Sequence, residues 1–181
     1  MMKYFFLVPV FVLLASVTQA ADDTRDPSEY FFHQSFGDLR DELQTAKNEG
    51  KKGIFIMFDN AECPWCAKMK ETVLNQVVVQ EYYRKHFVIM RIDTEGSEMI
   101  TDFTGKELRH KDFALKQNRV RATPVFLFFD VNGKQLVKYT GATRDINEFM
   151  WLGEYVVGDH YKTKRFAIYK RERRRAAKNH S

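Results

Sequence analysis

The 181-residue chain is poor in cysteine, proline and glycine, with two, four and nine of each. Two cysteines are too few for a disulfide-framework miniprotein or for a self-sufficient four-cysteine zinc site. A composition of 44% hydrophobic, 14% aromatic and 29% charged residues excludes a collagen-like fibre or a disordered chain and supplies one packed core. No apolar run reaches the roughly 18 residues of a membrane-spanning helix.

Charge is unevenly spread. The net charge is +5, yet from Lys162 onward nine Lys/Arg stand against one acid, Glu172, so the tail carries +8 and the body −3. The basic balance therefore describes some twenty residues, and no nucleic-acid motif accompanies them. The tail reads as a solvated or frayed helical end, with attraction to anionic lipid headgroups or an acidic partner as the sharper alternative.

At the other end, Lys3 precedes an apolar stretch over residues 5–17 and a small-x-small site at Thr18-Gln19-Ala20. That is the pattern of a secretory signal cleaved after Ala20; a short anchor or a buried first helix is the alternative. Export places the two cysteines where disulfides persist, in the periplasm or outside the cell. The expected organisation is a signal peptide (1–20), an N-terminal extension (21–35), one domain (36–158) and a basic tail (159–181).

Within the domain, helical spacing runs over 36–48, with Phe36, Leu39, Leu43 and Ala46 on one face and Asp38 as an N-cap. Apolar runs at 54–58, 87–93 and 125–129 read as strands buried on both faces. Helices are expected over 64–73, 77–87, 110–118 and 145–157, and an insertion or small hairpin over 94–109. Asn132-Gly133 is a hairpin turn leading into a returning strand at 135–139. Alternating strands and helices imply an α/β fold: a parallel sheet covered on both faces, made mixed by the closing antiparallel pair.

Cys63-Pro64-Trp65-Cys66 follows the first apolar strand and opens a helix with Pro64 at its first position. Cys63 then falls at the N-cap, where orphan N–H groups and the helix dipole favour a thiolate. Cys63 is accordingly the expected low-pKa nucleophile, within the range of about 3.5–7.5 found for such cysteines. Cys66, one turn on, can attack a mixed disulfide formed at Cys63. A structural staple is poorly motivated, since closing so short a loop is worth only about 2 kcal/mol. Zinc would need two ligands from His33, His86, His110, His160 and His180, none paired at ligand spacing. Ala67 after the second cysteine excludes haem attachment. Pro124, at the start of the third apolar strand, is either an ordinary trans residue or the cis member of a Thr123-Pro124 bond that leaves the Thr123 backbone free for a partner chain.

The strand–Cys-x-x-Cys–helix unit, Thr123-Pro124 about sixty residues later, and Gly141 after the closing hairpin resemble the thioredoxin superfamily over residues 36–157. The export pattern, Glu62-Cys63-Pro64-Trp65-Cys66 and the 93–103 insertion are most similar to SoxW-type periplasmic thioredoxin-like proteins of sulfur-oxidising bacteria. The resemblance implies a thioredoxin fold, a central mixed sheet with helices on both faces. It also implies a cis Pro124 beside the cysteines, a groove lined by Gly141, and thiol–disulfide exchange on protein cysteines through Cys63 and Cys66, with no cofactor or metal. A redox partner protein would supply or accept the electrons, and a monomer is expected. Trp65 is either a contact for partner proteins or a partly packed surface ring. A non-enzymatic binding or chaperone module on the same fold is the competing class.

There are departures. Thioredoxin carries a buried Asp six residues before its first cysteine; here that position is Met57, and its buried Lys corresponds to Ile89. Glu62 is then either a substitute base or a solvated acid.

Overall fold

The computed structural model describes residues 23–179; the expected signal peptide lies outside them. Its centre is β1 (Gly53–Asp59), every residue of which is buried. Alternation sends Phe55 and Met57 to one layer and Ile54, Ile56 and Phe58 to the other, as period-two geometry requires. β1 pairs in parallel with β2 (Phe87–Asp93) and antiparallel with β5 (Val125–Asp130), which pairs antiparallel with β6 (Gln135–Thr140). The sheet order is β2-β1-β5-β6. It is mixed, but β5 opposes β1, so only β1 and β2 are parallel. Apolar runs report burial on both faces and carry no strand direction, which is why a parallel core was expected.

α2 (Leu39–Asn48) begins where the Asp38 carboxylate accepts the Arg40 N–H at 2.9 Å. The cap excludes Phe36, which is fully exposed and not part of the helical face. Leu39, Leu43 and Ala46 pack beneath the sheet with Phe113 and Ala114, which follow the short α5 (His110–Asp112). The 94–109 insertion is a hairpin of β3 (Met99–Thr101) and β4 (Glu107–Arg109). Its turn is held by the buried Asp102 carboxylate, which accepts from Thr104, Lys106 and Gln117.

The opposite layer holds α3 (Pro64–Met69), α4 (Val77–His86) and α6 (Ile146–Val157). α3 continues into a wider π turn over Lys70–Leu74, and α5 into another over Phe113–Gln117. An aromatic cluster of Phe31, Phe55, Tyr83, Phe126, Phe128 and Phe149 fills this layer, with Tyr83 stacked on Phe149 at 4.4 Å. Phe31 follows α1 (Pro27–Tyr30), so the N-terminal extension is part of the core. Beyond it His33 lies on the free edge of β2. Its N–H donates to the Ile89 carbonyl, and its Nδ1 accepts the Ile89 N–H at 2.9 Å.

The basic tail forms α7 (Phe166–Lys178) against α6. Buried Glu148 accepts from Lys170 at 2.5 Å and Arg174 at 2.9 Å, and Arg173 pairs with Glu154. Three of the tail's nine cations are thus paired with acids of α6. In the β5–β6 turn only Gly133 takes positive φ, with a bulge at Phe128/Phe129; this is the turn-plus-bulge route to a tight hairpin. No helix of the described residues is long and apolar enough to cross a membrane.

Candidate functional site

β1 ends at the cysteine loop, and α3 starts from it. Cys63 is the N-cap and Pro64 the first helical residue, where a missing N–H costs nothing. The two cysteines are joined by a disulfide with their Cα atoms 5.2 Å apart. The Cys63 Sγ also accepts the Cys66 N–H at 3.1 Å, and the Cys63 carbonyl accepts from Cys66 and Ala67. One first-turn amide, that of Cys66, therefore points at the Cys63 sulfur, where it stabilises negative charge once the disulfide opens. Cys63 is 6% and Cys66 1% exposed, so a partner meets the first sulfur before the second.

Trp65 stands out from the surface, 58% exposed, with Lys68 Nζ 5.5 Å over its ring. The Thr123–Pro124 peptide bond is cis. The Pro124 carbonyl accepts the Gly141 N–H at 2.8 Å, and Gly141, at φ +99°, turns the chain out of β6. Thr123 keeps its own backbone N–H and C=O without a partner among the described residues. A groove of about 430 Å³ brings these features together: Trp65, Lys68 and Met69 form one wall, Thr123 and Pro124 lie between, and Gly141–Arg144 form the other. The structure thus gathers Trp65, Thr123, Pro124 and Gly141 at one groove beside the cysteine helix.

Glu62 is exposed with no hydrogen-bond or ion-pair partner among the described residues. No cluster of His, Cys, Asp or Glu among the described residues could hold a metal.

A group that sequence reasoning missed lies beneath the site. Asp59 is fully buried. Its carboxylate accepts Arg91 Nε at 2.8 and 2.9 Å and lies 2.6 Å from Lys70 Nζ. Met57 and Asp59 share a face of β1, and Arg91 stands opposite Met57 in the parallel register. Asp59 and Arg91 are thus diagonal neighbours. Lys70 is four residues after Cys66 and so shares its side of the helix. The buried acid is present, four rather than six residues before Cys63, and locked between two cations.

A model of the thioredoxin-like domain matches residues 39–157. No curated protein sequence matches the chain. Among solved structures, a thioredoxin-fold protein from Helicobacter pylori is 16% identical, with a TM-score of 0.58, covering 70% of this chain and 91% of its own. A thioredoxin from Thermus thermophilus is 18% identical at a TM-score of 0.54, covering 71% and 88%. A putative disulphide-isomerase from Bacteroides thetaiotaomicron is 22% identical at 0.51, covering 70% and 95%. With the domain matched across the sheet, the cysteine helix and α6, the chain belongs to the thioredoxin-like family.

Proposed function

We propose that the protein is a thiol–disulfide oxidoreductase acting on cysteines of other proteins. The observation that carries this is the Cys63–Cys66 disulfide at the tip of α3, its outer sulfur held by a backbone N–H next to an open groove. In the reducing direction, the Cys63 thiolate attacks a substrate disulfide. One S–S bond forms and one breaks, and the departing substrate thiolate takes a proton. The Cys66 thiolate then attacks the Cys63 sulfur, regenerating the 63–66 disulfide and releasing the second substrate thiol. Two electrons pass to the substrate. Oxidation of a substrate dithiol is the same path reversed, and a redox partner resets the pair. No metal or organic cofactor takes part.

Thr123 offers its free backbone groups to an extended substrate chain, in the manner of strand addition. Trp65, Pro124 and Gly141 shape the groove around that chain. Export to the periplasm is supported by the N-terminal charge, apolar stretch and Ala20 site. Service in sulfur oxidation, by keeping a carrier protein's cysteine reduced, is supported by the resemblance of the cysteine motif and insertion to SoxW-type proteins.

Turnover of insulin disulfides by dithiothreitol tests the reaction. The expected result is catalysis by the wild type and none by Cys63→Ser. Binding of unfolded protein by Cys63→Ser/Cys66→Ser, with no turnover by the wild type, would instead establish a binding module.

A further inference from the structure

The groove has an electrostatic sign that thiol exchange by itself does not require. Lys68 is exposed on its wall, resting on the Trp65 ring, with no carboxylate within ion-pair distance among the described residues. Arg121 is exposed two residues before Thr123 and has no partner among the described residues. The loop that carries it is tied down, because Lys138 Nζ donates to the Asn118 and Arg119 carbonyls at 2.8 and 3.0 Å. Arg144 is a third cation on the far wall, offset by Asp145 at 2.9 Å.

The nearby acids offset this field only in part. Asp145 is held by Arg144 and by the first turn of α6, where it accepts the Glu148 N–H. Glu71 lies on the other side of the cysteine helix, in a separate cleft with Arg25 and Pro27. Glu62 precedes Cys63 and, like Arg121, flanks the groove without lining it, so the unpaired charges around the site are two cations, Lys68 and Arg121, against one acid. Asp59 is buried and paired twice.

We infer that the groove selects substrates whose reactive cysteine is flanked by acidic residues, with Lys68 and Arg121 as the specificity-determining side chains. The inference rests on the proposed oxidoreductase activity. An extended chain pairing with Thr123 advances roughly 3.3 Å per residue. Carboxylates within two or three positions of the attacked cysteine therefore fall on the stretches of substrate that pass the Thr123 loop, which carries Arg121, and the cysteine helix, which carries Lys68. Both cations are solvated before binding, so their effect falls on encounter and discrimination more than on tight binding.

The test uses the reduced full chain and three synthetic peptides, each a mixed disulfide of a single cysteine with thionitrobenzoate. The cysteine is flanked by Asp, Ser or Lys pairs. Each rate constant is divided by that of the same peptide with dithiothreitol, which removes the peptide's own effect on sulfur reactivity. At low salt the Asp peptide is expected to react about tenfold faster than the Lys peptide. That ratio is expected to fall below about threefold in Lys68→Gln/Arg121→Gln and in about 0.5 M salt, where exposed charges are screened. Both positions are exposed, and circular dichroism and the melting temperature of the double variant report that it remains folded. Equal normalised rates for the three peptides, or a preference unchanged in the variant, overturns the inference and leaves the oxidoreductase activity standing. No exchange with any peptide, the Ser peptide included, overturns that activity and the inference together.

Discussion

Replacing Asp59 by Asn tests whether the buried acid is a structural keystone of the layer under the cysteines. The carboxylate has no exposed surface, while the Lys70 and Arg91 side chains are 29% and 45% exposed. Removing one member of a fully buried pair costs about 3–5 kcal/mol, because the remaining charge is stranded. Here the two cations can turn outward to water, and Asn keeps the shape and one acceptor. We therefore expect the lower part of that range, about 3 kcal/mol. At about 2–4 °C per kcal/mol for a domain of this size, the melting temperature falls by about 6–12 °C. Removing a cation instead leaves Asp59 one partner, so Lys70→Met or Arg91→Gln is expected to cost less than Asp59→Asn. Replacing all three by apolar residues of similar volume is expected to recover most of the loss, since no charge then remains to be desolvated. Urea unfolding of the oxidised protein measures each variant. An Asp59→Asn protein within about 0.5 kcal/mol of wild type, or a triple variant less stable than Asp59→Asn, refutes the reasoning.

Three further outcomes follow from the fold. Gly53 sits at φ +153° where an added Cβ would lie 1.9 Å from the Phe129 carbonyl oxygen; Gly53→Ala is expected to destabilise by about 3 kcal/mol or more, and an unchanged unfolding midpoint contradicts the β1–β5 register. Ending the chain after Lys164 removes both cations from buried Glu148. The expected loss is about 3–5 kcal/mol, partly recovered by Glu148→Gln in the shortened chain; full stability of the shortened chain shows that α7 does not dock. Burial, then the nearby Arg84 and Lys51, push the His33 pKa from 6.5 down to about 4. Between those values the unfolded chain binds a proton that the folded chain does not, so stability present above pH 6.5 is lost as the pH falls through that window. Allowing for the partly exposed ring, about 2 kcal/mol is at stake; His33→Gln is expected to flatten the slope, and parallel stability curves for the two proteins count against this role.

The cysteine helix was legible because its signals are local. A buried run, a proline at the first helical position and two cysteines three apart leave little freedom, and the N-cap falls on Cys63 as the spacing requires. The Asp38 cap was readable for the same reason. Asp59 was not, because an acid at a strand end looks like the start of a solvated loop. Only the β1–β2 register brings Arg91 beside it, and only the course of the cysteine helix brings Lys70. The direction of β5, the packing of the tail onto Glu148 and the entry of Phe31 into the core depend likewise on contacts between residues far apart in the chain. Phe36 misled because an apolar residue at helical spacing says nothing of the Gly37 turn, at φ +83°, that separates it from α2.

The central claim is that Cys63 captures a substrate sulfur and Cys66 displaces it. Mixing reduced Cys66→Ser protein with a disulfide-containing protein, then separating the products without reductant and mapping them by mass, tests this directly. The expected product is a covalent complex linked only through Cys63, absent when Cys63→Ser is used and released when the wild type replaces the variant. A complex that forms equally well on Cys66 in the Cys63→Ser protein, or none on either sulfur, contradicts the account.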